Sequence, residues 1–151
     1  MNRKTSGSIS IPGKNEWGNP DEEDLEVRYA YDNFFGKSLV EAVQMFQENA
    51  LHFQEDLGSM PAIPFNYYVM AFVTYITSDL AEGDADGASA FLRMTHWQLR
   101  HHSDLIDVGV VSAMLVACAT VAQRQNFYTA DIDIYGDFSE HYKAIIAVSC
   151  E

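Results

Sequence analysis

The most regular alternation of apolar and polar positions lies between Ser38 and Gly58. Apolar side chains recur there at alternating spacings of four and three residues, the core-facing stripe of an amphipathic helix; they are Leu39, Val43, Phe46, Ala50, Phe53 and Leu57. Ser38 followed by Glu41 is the signature of a capping box, and Gly58 is a residue that commonly ends helices. The pattern therefore predicts an amphipathic helix that begins after Ser38 and ends at Gly58.

The rest of the pattern predicts further helices. Four carboxylates ahead of an apolar run indicate a first helix over about 21–35, which Gly36 ends. The segment FNYYVMAFVTYITSDL is apolar nearly all round and predicts a central helix, and ASAFLRMTHWQLRHH predicts a fourth, capped by Asp84 or Asp86. A fifth covers about 105–125, and SEHYKAIIAVSC is the last. No alternating strand pattern persists, so we predict an all-α, single-domain bundle of five to six helices.

The first twenty residues differ from the remainder. Residues 1–20 hold three glycines, two prolines and few apolar side chains, too few to offset the entropy of ordering the chain. We therefore predict a loose, flexible N-terminal arm over 1–20, with Trp17 as its anchor, followed by one helical domain over 21–151.

One predicted helix is uncharged. The run from Val108 to Ala122 is 15 residues long, which falls short of the roughly 20 residues that a membrane-spanning helix needs. The run also places small residues at helical spacing, a face that allows close approach of another helix. The pattern favours a buried core helix.

Charge narrows the classes of partner. The chain has 22 Asp plus Glu against 9 Lys plus Arg, a formal net charge of −13, and residues 38–92 contain no Lys or Arg. Nucleic acids and anionic membranes require basic patches, so we expect neither as a partner. Electrostatic attraction by this protein must instead be directed toward positive charge, which favours a basic protein partner.

Cysteine usage and the N-terminal residues favour the cytoplasm. Cys118 lies in an apolar helical run and Cys150 is the penultimate residue, a pair with no spacing typical of a disulfide framework or a zinc site. The first residues include no continuous apolar stretch of the length that a signal peptide needs. We expect a cytoplasmic protein.

The polar face of the second predicted helix is a candidate partner-binding surface. On a continuous helix four of its side chains share one face, which we call the acidic ridge: Glu41, Glu48, His52 and Glu55. The alternative is an ordinary solvated helix face. A second candidate surface is a groove on the third helix beside Tyr67, Met70 and Tyr75, for which the alternative is ordinary helix packing.

A cluster of histidines and carboxylates is the candidate metal site. The segment HWQLRHHSDLID contains His96, His101, His102, Asp104 and Asp107. On one helix the imidazoles diverge, and only His101, Asp104 and Asp107 share spacings of three. The alternative is a helix C-terminus at which basic side chains meet the negative end of the helix dipole. We expect no cofactor, because no phosphate-binding loop, nucleophile motif or HExxH motif occurs.

The stretch FGKSLVEAVQMFQENALHFQEDLGSMPAIPFNYYVMAF resembles small all-helical bacterial families of uncharacterised function. In these families a helix ends near a Met-Pro turn and an aromatic-Tyr-Tyr helix follows. The resemblance covers about a quarter of the chain. Some of these families lie near toxin and immunity systems, so the resemblance implies a binding protein and assigns no catalytic residue.

Two functions follow as hypotheses. The first is an acidic cytoplasmic protein–protein interaction module, immunity-like, that binds a basic partner protein. The alternative is a metal-dependent enzyme or a small-ligand-binding helical protein that uses His96, His101, His102 and Asp104. The sequence leaves the formation of a homo-oligomer open.

Overall fold

The computed structural model describes residues 10–19, 22 and 24–150. Across these residues the chain is helical and has no β-strand, which confirms the all-α prediction. Six α-helices have ten or more residues, and a single helical turn, α6, separates the last two of them. The helices are α1 (Leu25–Phe34), α2 (Leu39–Leu57), α3 (Ala62–Ile76), α4 (Ala85–His102), α5 (Val108–Gln123), α6 (Ile132–Tyr135) and α7 (Phe138–Ser149).

Helix boundaries follow local chemistry. The capping box at the start of α2 is present: Ser38 Oγ accepts from the Glu41 N–H at 3.1 Å, and Glu41 Oε1 accepts from the Ser38 N–H at 2.9 Å. Asp84 is the N-cap of α4. The first helix begins at Leu25, later than predicted, because Asp24 caps it by accepting from the Val27 N–H. Asp24 is therefore the N-cap, and Glu26 is the acidic residue of the first turn.

Helix α3 is the centre of the bundle. It packs against α2, α4 and α5 and buries eight of its fifteen residues, whereas Ile63 on its other side is 54% exposed. Stacked rings of Phe46 and Phe72, with centroids 4.7 Å apart, join α2 to α3. The edge-to-face pair Phe72 and Phe91, with centroids 5.0 Å apart, extends the aromatic core to α4.

The described part of the predicted arm contacts the bundle. Residues Lys14–Trp17 form a 3-10 helix, and Trp17 is wholly buried against Tyr31 of α1 and Tyr68 of α3. The Tyr68 hydroxyl lies 2.8 Å from the carbonyl oxygens of both Phe34 and Lys37. These contacts fix the α1–α2 connection to α3. Residues 1–9 of the predicted arm lie outside the described residues.

Helix α5 is buried on one side only. Its buried positions are Met114, Ala117, Cys118 and Val121, whereas Val108 is 87% exposed and Val116 is 65% exposed. The prediction of a fully buried core helix is wrong for this outer side. The reason is position: α5 packs on α3, α4 and α7, and no described residue covers its opposite face.

Candidate functional site

A break inside α2 determines where its acidic side chains lie. The backbone leaves the helical conformation at Asn49, with φ −162° and ψ 80°. Asn49 Oδ1 accepts from the His52 N–H at 3.1 Å, so Asn49 acts as an N-cap for the second half of α2. The acidic ridge was predicted for a continuous helix, and this break separates Glu41 and Glu48 from His52 and Glu55.

The two members of the ridge before the break are exposed side chains on the first half of α2. The Glu41 carboxylate is occupied by the capping box, and its hydrogen bonds with Ser38 lower the Glu41 pKa. Glu48 is exposed on the turn before Asn49.

The two members after the break face α1 and form part of a concave site, which we call the acidic cavity. Its volume is about 540 Å³. Three of its lining residues are carboxylates and none of the described lining residues is Lys or Arg; the lining is Glu26, Tyr29 and Asn33 from α1, and His52, Glu55, Asp56 and Ser59 from the end of α2. Since α1 packs on α2, the tertiary structure adds Glu26 and Tyr29 to the predicted side chains.

Asp56 is the most protected carboxylate of the acidic cavity. Its Oδ2 accepts from Asn33 Nδ2 at 2.8 Å, a bond that links α2 to α1. Burial raises the pKa of Asp56, and the Asn33 hydrogen bond and the nearby His52 oppose that rise. Tyr29 is 57% exposed and presents an aromatic ring to the same cavity. The site therefore combines partly desolvated negative charge with an aromatic surface.

Two further clefts adjoin the C-terminal turn of α2 on its other side, facing α4. One has a volume of about 330 Å³ and lies between this turn and Ala90–Gln98; the other, of about 180 Å³, continues toward Leu105 and Ile106. Gly58 and Gln98 line both clefts. We call the pair the Gln98 groove. Glu55 and Ser59 also line the acidic cavity, so one turn of the chain separates the two sites.

Two of the three residues of the predicted groove on α3 line one cavity, and the third lies elsewhere. Tyr67 and Met70 line a cavity of about 730 Å³ that also includes Glu16 and Asp107. Tyr75 lies elsewhere: it is buried, and its hydroxyl donates to Asp84 Oδ2 at 2.7 Å. Burial and this bond to a carboxylate raise the Tyr75 pKa. The structure thus separates Tyr75 from the other two because its position on α3 points toward the start of α4.

The histidine cluster at the end of α4 is arranged around an aromatic side chain. The Trp97 ring lies between His101 and His102, with centroid distances of 4.6 Å and 5.1 Å. Asp104 is exposed in a 3-10 turn, and the Asp107 N–H donates to Asn66 Oδ1 at 2.8 Å. In the described chain, no three His, Cys, Asp or Glu side chains converge in an arrangement that could hold a metal ion.

Several residues of these sites were missed by sequence reasoning. Glu26, Tyr29 and Asn33 belong to a different helix from the predicted ridge, and no local pattern pairs them with it. Gln98 carried a usable signal, because it follows Phe91 and Met94 at helical spacings of seven and four and so occupies a core-facing position. A polar side chain at such a position is unusual.

Comparison of the chain with protein-family models, with curated proteins and with solved structures finds no match in any of the three. The resemblance of residues 35–72 to small bacterial families therefore stays a prediction. Over the part of the chain that the structure describes, no helix is both long enough and apolar enough to cross a membrane. Functional inference accordingly depends on the geometry of the sites themselves.

Proposed function

We propose that this protein is a protein–protein interaction module that binds a basic partner protein, and that the acidic cavity receives a Lys or Arg side chain of that partner. The observation that supports this proposal is the composition of the cavity. Glu26, Glu55 and Asp56 line it together with the exposed ring of Tyr29, and none of the described lining residues is a Lys or Arg.

The chemistry of the cavity suits a guanidinium or ammonium group. Carboxylates accept charge-assisted hydrogen bonds from such groups, and an aromatic face attracts a cation placed over it. Partial burial of Asp56 strengthens these interactions because the local dielectric is lower than that of water. Arg is favoured over Lys, since its planar fork can pair with two carboxylate oxygens and stack on Tyr29.

Long-range electrostatics support the same partner class. The net charge is −13, and the absence of Lys and Arg between residues 38 and 92 leaves α2 and α3 without either of these cationic side chains. Such a field accelerates encounter with a basic surface and disfavours acidic partners. The exposed members of the ridge, Glu41 and Glu48, contribute to this field without lining the cavity.

The proposal includes a cytoplasmic location and an immunity-like role. Both cysteines are free thiols: Cys118 is buried, which raises its pKa to about 12, and Cys150 is exposed. Free thiols are usual in a reducing compartment. The immunity-like role follows from the resemblance of residues 35–72 and implies a basic toxin as the partner.

A peptide probe tests the cavity directly. Acetyl-Gly-Arg-Gly-amide is titrated into the protein and followed by amide chemical shifts, with the citrulline peptide as an uncharged isostere. We expect shifts centred on Tyr29 and Asp56 for the arginine peptide alone. Loss of two carboxylates in the Glu26→Gln plus Glu55→Gln variant should weaken binding by roughly tenfold, and added salt should weaken it further.

A charge-matched control separates the cavity from general acidity. Glu48→Gln plus Glu82→Gln removes the same charge from two exposed carboxylates outside the cavity. We expect this control to change the affinity less than about twofold, since exposed charges are screened. Equal weakening by both double variants would show that the cavity has no special role and would contradict the proposal.

A further inference from the structure

The outer side of α4 carries cationic and aromatic side chains. From Gly87 to Ser103 the chain has two Arg and three His and no carboxylate. At 3.6 residues per turn, four exposed side chains of this helix lie within about 100° of one another, opposite the buried Thr95 and Leu99. We call them the α4 face: Arg93, Trp97, Arg100 and His101.

The two arginines of the α4 face have no acidic partner among the described residues. Arg93 Nε donates to the Ser89 carbonyl oxygen at 3.5 Å, and neither Arg93 nor Arg100 forms an ion pair with a described residue. Two other exposed cations, on α1 and α7, do pair with carboxylates of their own helices. The chain has 22 Asp plus Glu, so these two guanidinium groups form a local positive surface on an acidic protein.

Trp97 adds a large apolar contact to this surface. Its ring packs against the imidazoles of His101 and His102, with centroid distances of 4.6 Å and 5.1 Å, and 49% of the residue remains exposed. Trp and Arg are among the residue types that most often dominate the binding energy of protein interfaces. Burial of the exposed indole between two guanidinium groups would therefore combine an apolar contribution with charged contacts.

The spacing of these side chains defines the partner that complements them. Arg93 and Arg100 are seven residues apart on α4, which separates their Cα atoms by about 10 Å along the helix axis, and Trp97 lies between them. Two carboxylates seven residues apart on a partner helix have the same separation. An apolar residue three or four positions after the first carboxylate lies between the two on the same side of that helix.

We propose that the α4 face binds an amphipathic helix of a protein partner, in which two carboxylates pair with Arg93 and Arg100 and an apolar side chain between them covers Trp97. Carboxylates accept charge-assisted, bidentate hydrogen bonds from guanidinium groups. Nucleic acid also presents anions, but the net charge of −13 opposes its continuous negative charge over its whole length. A helix with two carboxylates meets less repulsion, because exposed charges more than about 8 Å apart are screened at physiological salt.

This inference goes beyond the proposed function, which concerns a basic side chain at the acidic cavity. The α4 face and the acidic cavity share no residue, and their probes have opposite charge. Glu26→Gln plus Glu55→Gln should therefore not weaken binding at the α4 face. Arg93→Gln plus Arg100→Gln should not weaken binding of the arginine peptide, so failure of one proposal is distinguishable from failure of the other.

The probe is an alanine-based helical peptide of about 18 residues, with Glu at its sixth and thirteenth positions and Leu at its ninth and tenth. Binding is followed by the fluorescence and the indole N–H resonance of Trp97, which is half-exposed whereas Trp17 is wholly buried. We expect a saturable change at Trp97. Replacing both Glu by Gln should weaken binding by roughly tenfold.

A second control peptide keeps the net charge and changes the register. Its two Glu stand at the eighth and fifteenth positions, on the side of the helix opposite the two Leu. This peptide has the same charge and the same spacing between carboxylates, but it cannot present them together with Leu to the α4 face. We expect it to bind roughly tenfold more weakly than the probe.

Variants of the protein complete the test. Arg93→Gln plus Arg100→Gln should weaken binding of the probe by roughly tenfold and leave the melting temperature unchanged, because both side chains are exposed. The matched control, Lys14→Gln plus Lys143→Gln, removes the same charge from two exposed lysines outside the α4 face. It should change the affinity less than about twofold. Trp97→Ala, followed by the fluorescence anisotropy of a labelled probe, should also weaken binding.

Several outcomes would overturn the inference. The absence of a saturable change at Trp97, or equal binding of the probe and the register control, would show that the α4 face does not select this pattern. Equal weakening by the two double variants would show that only general charge matters. Tighter binding of an oligothymidylate that is lost in Arg93→Gln plus Arg100→Gln would assign the face to nucleic acid. A dimer that this variant converts to a monomer would assign it to a second copy of the chain.

Discussion

The two sides of the C-terminal turn of α2 present opposite kinds of recognition surface. On the α1 side, the acidic cavity displays three carboxylates and an exposed tyrosine. On the α4 side, the Gln98 groove is bordered by Met94, Phe65 and Ile106 and includes the carboxamide of Gln98. Glu55 and Ser59 contribute to both sides, so a single turn of backbone divides a cavity with three carboxylates from a groove that is lined mostly by uncharged side chains.

The two surfaces differ in the distance over which their side chains can interact with a partner. Charges act over several ångströms in water and set encounter rates, but they tolerate many orientations. A buried amide acts only at hydrogen-bond distance and requires a partner in one orientation.

We expect the largest effect on stability from a substitution of Leu57 in the C-terminal turn of α2, which borders both sites. Leu57 is 1% exposed at the end of α2, and Leu57→Ala leaves a cavity beneath both sites. We expect the free energy of unfolding to fall by about 2–5 kcal/mol, measured by urea denaturation, and the arginine peptide to bind more weakly.

Leu51→Ala is the matched control, because Leu51 is on the same half of α2 and is 42% exposed. It should cost less than about 1 kcal/mol. Unchanged binding of the arginine peptide by Leu57→Ala would show that this turn does not support the acidic cavity.

An intermediate effect is expected at the break in α2. Asn49→Ala removes the side-chain acceptor of the His52 N–H and should lower the free energy of unfolding by about 1 kcal/mol. The arginine peptide should also bind more weakly, because the cap orients the half-helix that carries His52 and Glu55. Gln47→Ala, at an exposed position before the break, is the control and should have little effect. Unchanged stability of Asn49→Ala would show that the cap does not hold the break.

The smallest effect concerns the protonation of Asp56. Because burial raises its pKa above 3.8, the folded state binds this proton more tightly than the unfolded state does. Asp56 therefore costs stability once the pH exceeds its folded pKa, and costs nothing below 3.8, where both states are protonated.

Asp56→Asn should thus raise the melting temperature slightly at pH 7 and leave it nearly unchanged at pH 3. The arginine peptide should also bind the variant more weakly, because the cavity loses one of its three carboxylates. Thermal melts across this pH range provide the measurement, with Asp104→Asn at an exposed carboxylate as the control. A variant less stable than the wild type at pH 7 would mean that the bond from Asn33 outweighs burial.

The sequence predicted those features that depend on interactions between residues close together in the chain. The capping box of Ser38 and Glu41, the end of α2 at Gly58 and the Asp84 cap depend on residues within one turn of one another. The central position of α3 followed from its apolar composition. The outer face of α5 was misjudged because an uncharged run indicates what a helix can bury, not whether another element covers it.

Hydrophobic period and charge are properties of the chain, so the sequence alone predicts the helical class, the helix stops and caps, and the surplus of carboxylates. Which of those carboxylates lie close to one another depends on the tertiary structure. The break at Asn49 divides the predicted ridge, and the packing of α1 on α2 gathers Glu26, Tyr29 and Asp56 into one cavity. The grouping of Gln98 with Gly58 in one groove also depends on distant segments of the chain meeting in space, which no local pattern encodes.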